Sequence, residues 1–404
     1  MVSMSSIPCI KSKRISLKNL LSGSFMVFGT TVGAGMLGIP AMTAGAGFIP
    51  ALLVTFLVWL FMAATGLLFL EVTLKMPQGS NLISLSQRFL GRAGKWVSAV
   101  LFLFLYYCLL VAYFAGGSPL LGQLCLWMGF PLSALTEKIL FLTVFGGVIF
   151  LGVKWINKAN LILTGCMLLA YVLLVSLGAS AVEYSRFPIS NYSLAFGAVP
   201  VLFSAFGFHN VVPPLATFLH RDKKVLRLSI LLGTFFALAL YVVWQWLVLG
   251  SVSIDSIAEV RAKGLPVTYA LQTAAHVSSI YVLGQLFAFF ALTTSFLGVG
   301  FSFVDFIQDG FAESKIKVRR FFCSFLTLVP PFICILLNPA VFEKALGLAG
   351  GVGESILNGI LPVLLFVKMK SSLKQGEMSF LFKVTLWLLV LLSLGAFFIE
   401  AYSL

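Results

Sequence analysis

The chain has 404 residues, of which 60% are apolar and only 10% charged, with a mean hydropathy of +1.06. No soluble fold needs that much apolar surface, so the composition excludes a water-soluble globular domain and marks a polytopic membrane protein. The net charge of +14 does not point to nucleic acid, because the basic residues sit in short loops between apolar segments.

A helix that crosses ~30 Å of hydrocarbon needs ~20 mostly apolar residues. On that scale eleven spans are expected, near 20–46, 49–74, 96–127, 138–153, 159–180, 194–219, 228–250, 278–305, 321–338, 347–367 and 384–402. The N-terminal segment 1–19 carries Lys11, Lys13, Arg14 and Lys18 and leads into the first span without a cleavage-like site, unlike a signal peptide.

The first span contains Gly29-Thr-Thr-Val-Gly-Ala-Gly-Met-Leu-Gly-Ile-Pro40. Each interior glycine costs a helix ~1 kcal/mol against alanine, and two adjacent threonines and a proline weaken it further. Apolar sequence brackets the stretch, so it lies at membrane depth. Irregular backbone is tolerated there only where protein buries it or where it lines a cavity. A broken helix has free ends, and the N–H groups of Gly33, Ala34 and Gly35 would face an anionic group such as a carboxylate. The alternative is a glycine-rich packing face.

The loop from Lys75 to Lys95 reads as a short amphipathic element at the membrane surface, with Leu82, Leu85, Phe89 and Leu90 on one face. The sixth span is interrupted like the first, at Ser204-Ala-Phe-Gly-Phe-His-Asn-Val-Val-Pro-Pro214. It follows the first by five spans, an odd number, so the two halves, 20–180 and 194–370, have opposite topology. Paired broken helices in such halves point to a transporter's binding site. The eleventh span, 384–402, falls outside the repeat.

Candidate polar residues are few. His209 lies in the second interruption, either lining a site or bonding a neighbouring helix. Phe206 and Phe208 flank Gly207 as a possible aromatic wall. Thr294 and Ser295 sit deep in the eighth span, where hydroxyls either bond back to the preceding turn or coordinate a small cation. Glu354, in Gly350-Gly-Val-Gly-Glu-Ser at the start of the tenth span, is the carboxylate open to titration during transport, or else part of an outer gate. The six cysteines fall mostly inside apolar spans without a C-x-x-C motif and read as small buried side chains. No nucleophile motif, phosphate loop or metal-spaced cluster is present, which argues against an enzyme.

Of the 27 Lys and Arg residues, only Lys138, Arg186, Arg261, Lys263 and Lys344 fall on the side opposite the N-terminus, leaving 22 on the N-terminal side. The positive-inside rule then places the N-terminus in the cytoplasm and the C-terminus outside.

The stretch from Gly29 to Pro40, Leu70-Glu-Val, Leu90-Gly-Arg, Ser204-x-Phe-Gly-Phe-His209 and Thr294-Ser-Phe-Leu-Gly298 resemble the bacterial aromatic amino acid permeases, in order and over nearly the whole chain. The resemblance implies the inverted five-plus-five repeat of the amino acid permease superfamily, with helices 1 and 6 broken. It also implies an inner-membrane symporter for tyrosine, phenylalanine or tryptophan. By position, the N–H groups of Ala34 and Gly35 would meet the substrate carboxylate and carbonyls around Phe206 its ammonium, with Thr31 and Gly33 also in the substrate site and Tyr107 and Tyr113 beside it. Carbonyls of Gly29 and Val32 with hydroxyls of Thr294 and Ser295 resemble a sodium site. Proton-coupled relatives often carry a lysine where this chain has Met167, and relatives tend to have glycine where it has Asn210. No cofactor is implied beyond a coupling ion, Na+ or H+, with His209 and Glu354 as the proton candidates. Partners are the amino acid and membrane lipid, and nothing in the sequence sets an oligomeric state. Another neutral amino acid as substrate, or a channel-like or receptor protein, are the alternatives.

Overall fold

The computed structural model describes residues 16–188, 190–271, 278–313, 319–373 and 378–403. Lys11, Lys13, Arg14, Cys9 and the basic residues Lys315, Lys317 and Lys374 lie outside the described residues.

A helix stands wherever a span is expected. Span 1 is a bent pair, Leu17–Thr31 and Gly35–Ala46, angled by 57°. Spans 2 to 6 are Phe48–Thr73, Leu82–Trp127, Ala134–Leu151, Lys154–Ala181 and Tyr192–Phe218. Spans 7 to 11 are Lys223–Ser251, Ser279–Gly310, Arg320–Leu337, Phe342–Ser372 and Phe380–Ser403.

Span 3 runs fourteen residues ahead of its expected start, because the amphipathic element joins it end to end. Gly91, at φ 75° and ψ −165°, separates the two, a conformation that only glycine adopts without strain. Residues 82–90 start at a reciprocal cap in which the Ser84 N–H donates to Asn81 Oδ1 and the Asn81 N–H donates to Ser84 Oγ. Leu85 is buried and Gln87 and Arg88 are exposed, as the amphipathic pattern requires.

Helix pairing follows the exchange that a five-plus-five repeat requires. Span 1 lies along span 7, as span 6 lies along span 2. Span 8 lies along span 5, as span 3 lies along span 10, and spans 3 and 8 pack on each other. Exchanging each span n with span n+5 reproduces these pairs, the mark of two halves related by a pseudo-two-fold axis. Span 11 stands outside that exchange and packs on span 10.

Side chains sort by lipid contact. Phe56, Leu57, Trp387 and Leu391 are exposed on the outer surface of the bundle, whereas Phe203, Phe287, Phe296 and Trp244 are fully enclosed. Span 10 is irregular: Ala349–Ile360 winds with the wider π-helical turns often found at functional sites. The described cysteines, Cys108, Cys125, Cys166, Cys323 and Cys334, are all free thiols.

Candidate functional site

The two interruptions meet near the middle of the bundle. In span 1 the regular helix ends at Thr31 and resumes at Gly35. Among the described residues, the N–H groups of Gly33, Ala34 and Gly35 have no hydrogen-bond acceptor, and the next two amides bond to the Gly33 and Ala34 carbonyls. In span 6 the helix ends at Ala205, residues 206–208 are irregular, and a short turn at His209–Val211 leads into Val212–Phe218. Pro213 and Pro214 start that last piece, where the absent N–H groups leave no intrahelical bond unmade.

A glycine is required at the meeting point. A Cβ on Gly35 would lie 2.5 Å from the Ala205 Cα and 2.8 Å from its nitrogen, so the backbones of spans 1 and 6 approach directly there. Tyr241 of span 7 ties the same two ends together. Its hydroxyl lies 2.8 Å from the Thr31 carbonyl and 2.7 Å from the Ala205 carbonyl, sharing one hydrogen between the last residues of both half-helices. Those carbonyls are the ones that a broken helix leaves unpaired.

Beside this junction lies a cavity of about 590 Å³, within the range of small-ligand sites. Its walls come from one end of each element: residues 26–35 of span 1, 102–113 of span 3, 204–214 of span 6 and 294–309 of span 8. All of these segments lie on the N-terminal side of the bundle or at the breaks. Asn81, Leu82 and Ile83 line its far end. The cavity therefore faces the side of the membrane that carries most of the basic residues, and the opposite halves of spans 1, 6 and 8 close it off.

Most of the residues singled out in the sequence come together here. Gly29, Thr31, Val32, Gly33, Ala34, Gly35, Tyr113, Gly207, His209, Thr294, Ser295 and Glu354 all line the cavity. Three do not. Tyr107 points away, donating its hydroxyl to the Leu326 carbonyl of span 9 at 2.8 Å. Phe206 and Phe208 are completely buried behind the break, Phe206 against Tyr241 and Phe208 between Gly66 and His209. The aromatic wall is instead built from Phe28, Phe69, Phe102, Tyr106 and Phe306. Helical phase explains the first correction. Tyr106 precedes Tyr113 by seven residues, two full turns at 3.6 residues each, so they share a face, whereas Tyr107 is rotated away.

Spans 1 and 8 touch at the expected ion site: a Cβ on Gly33 would lie 2.5 Å from Ser295 Oγ. Thr294 Oγ1 donates to the Phe290 carbonyl and Ser295 Oγ to the Ala291 carbonyl, each at 2.9 Å. Back-bonding and cation coordination are thus compatible, since a hydroxyl that donates its hydrogen still offers lone pairs. Met167 of span 5 also lines the cavity, an apolar side chain.

Glu354 enters the cavity from the π-helical part of span 10. Its carboxylate accepts a hydrogen bond from Asn358 Nδ2 and faces Gly207 in the break of span 6. No Lys, Arg or His side chain pairs with it among the described residues. It lies on the cavity wall at the break of span 6. His209 places Nε2 3.0 Å from Thr65 Oγ1. Its Nδ1, with Ser204 Oγ and Asn160 Oδ1, is buried without a hydrogen-bond partner among the described residues, and all three residues line the cavity. Asn210 reaches Tyr106 Oη at 3.5 Å. Asp305, also on the lining, pairs with Arg320 at 3.0 Å where spans 8 and 9 meet.

The sequence pattern of the tryptophan/tyrosine permease family matches residues 16–400. The tyrosine-specific transport system 1 of Haemophilus influenzae is 29% identical over 83% of this chain and 84% of its own. The tryptophan-specific transport protein of the same organism is 31% identical over 89% and 90%. The low affinity tryptophan permease of Escherichia coli is 25% identical over 86% of each chain. Among solved structures, MhsT in complex with L-phenylalanine superposes with a TM-score of 0.66 over 96% of this chain and 98% of that one. At 13% identity that likeness speaks for the fold alone.

Proposed function

The chain belongs to the tryptophan/tyrosine permease family, and we propose on that premise that it is a symporter importing aromatic amino acids, tyrosine with phenylalanine and tryptophan, across the bacterial inner membrane. The observation that carries this reading is that both helix breaks and the span 8 hydroxyls line one cavity. An amino acid offers a carboxylate, an ammonium and an aromatic ring. The unpaired N–H groups at Gly33, Ala34 and Gly35 suit the carboxylate, with the dipole of the half-helix behind them. Glu354 and the free backbone of the span 6 break suit the ammonium. Tyr106, Tyr113 and Phe102 present ring faces and edges for the aromatic group.

Alternating access follows from the breaks. Half-helices that pivot at 32–34 and 206–208 can close the cavity on one side and open it on the other while the substrate contacts stay in place. The coupling ion in this reading is sodium, held by carbonyls of Gly29 and Val32 and hydroxyls of Thr294 and Ser295. A neutral oxygen set suits a hard cation that must bind and leave. A second reading, coupling through a proton on Glu354, is favoured by that carboxylate's lack of a cationic partner among the described residues. The test is uptake of labelled tyrosine, phenylalanine and tryptophan into proteoliposomes under separate sodium and proton gradients. Uptake that competes with none of the three, or that ignores both gradients, overturns the proposal.

A further inference from the structure

A second crevice, separate from the cavity at the helix breaks, lies at the basic end of the bundle between the ends of spans 2, 7, 10 and 11 and encloses about 660 Å³. Among the described residues four cations line it, Lys75, Lys223, Arg227 and Lys370, against one carboxylate, Glu71. Glu71 accepts from Lys223 at 2.7 Å and from Arg227 at 2.6 Å, so it fixes two of the cations in place while neutralising a single charge. Among these residues three positive charges remain for an occupant. Below them the walls are apolar: Leu67, Leu231, Phe366 and Phe382 line the same crevice, and Leu231 is exposed on the lipid-facing side of span 7.

We propose that this crevice is a binding site for an anionic phospholipid, its phosphate held by Lys75, Lys370, Lys223 and Arg227 and one acyl chain lying along Leu67, Leu231 and Phe382. The charge excess selects an anion, and its position at the ends of four spans is the depth of a lipid headgroup. Basic pockets between membrane helices recognise headgroups in this way. A small soluble anion would satisfy the cations but leave the apolar walls uncovered, and a zwitterionic lipid would bring no net charge to meet the excess. The pre-formed Glu71 pairs reduce the side-chain ordering needed on binding.

The purified protein is titrated with phosphatidylglycerol, phosphatidylcholine or inorganic phosphate, and bound lipid is counted by native mass spectrometry. The wild type should retain one phosphatidylglycerol in clear preference to phosphatidylcholine, and inorganic phosphate should not displace it. Lys75→Gln with Lys370→Gln leaves the Glu71 pairs intact and should weaken that retention roughly 25-fold, about fivefold per charge. The single variants, each about fivefold weaker, make the same comparison should the double variant be unstable. Equal retention of both lipids, or undiminished retention by the variants, overturns the proposal. Displacement by inorganic phosphate would make this a small-anion site and overturns it equally.

Discussion

The carboxylate of Glu354 occupies the space that a side chain would need at Gly207: a Cβ there would lie 2.5 Å from Oε1 and 2.8 Å from Cδ. Gly207 is in the break of span 6 and Glu354 in the π-helical part of span 10, so these two elements of the second half interlock through one carboxylate. Gly207→Ala should push the carboxylate aside, an overpacking cost of about 1–3 kcal/mol. Uptake should fall roughly tenfold or more. Glu354→Gln keeps the shape and removes the charge. Under the sodium reading it should weaken amino acid binding, since the ammonium loses its carboxylate, yet leave the remaining uptake dependent on the sodium gradient; loss of all gradient-driven uptake with exchange preserved would transfer the coupling role to Glu354.

Gly29 and Gly35 separate binding from packing. A Cβ at Gly29 meets nothing within 4 Å and the residue lines the cavity, whereas one at Gly35 meets the backbone of Ala205. Gly29→Leu should therefore leave thermal stability unchanged while blocking uptake. Gly35→Ala should lower the unfolding temperature, because spans 1 and 6 must separate. Equal destabilisation by the two substitutions would contradict this division.

Thr294 and Ser295 carry the sodium reading. Thr294→Ala with Ser295→Ala removes two oxygens and preserves the helix, since both hydroxyls only bond back to their own turn. The sodium concentration giving half-maximal uptake should rise about tenfold or more for a loss of roughly 1.4 kcal/mol. An unchanged sodium dependence would place the ion elsewhere.

Tyr241 is the structural link between the breaks. Tyr241→Phe keeps the ring against Phe206 and leaves the Thr31 and Ala205 carbonyls without their shared donor. Leaving buried acceptors unpaired costs about 1–3 kcal/mol. Thermal unfolding should show that loss, with uptake reduced as the half-helix ends lose their alignment. A variant as stable as the wild type would mean that the carbonyls find another donor.

Orientation has its own test. In a background without native cysteines, Ser256→Cys, in the short helix Ile254–Ala262, should react with an impermeant thiol reagent from outside. Ser372→Cys, exposed at the end of span 10, should be protected in intact cells. The reverse pattern would invert the topology proposed from the charge distribution.

What the sequence by itself determined is whatever depends on local composition. Membrane residence, eleven spans and both interruptions follow from runs of about 20 apolar residues and from glycine, threonine and proline inside two of them. The membrane makes this unusually legible, because a backbone without water must be helical except where protein or a cavity relieves it. Gly33, Ala34, Gly35, Gly207 and His209 were identifiable for that reason.

Which side chains face the cavity depended on rotation about helix axes and on partners far along the chain. Tyr106 rather than Tyr107 turns inward because a single residue changes direction by 100°. Phe206 and Phe208 flank the break yet pack behind it, since Tyr241 and Gly66 offer them enclosed surfaces there. Glu354 looks from its position like a residue near a span end. The π-helical winding of Ala349–Ile360 and the missing side chain at Gly207 bring it to the centre. Tyr241 carries no local signal at all, because its role exists only once spans 1 and 6 have both broken and span 7 has packed beside them. Local propensity decides where a helix yields, and three-dimensional packing decides what fills the opening.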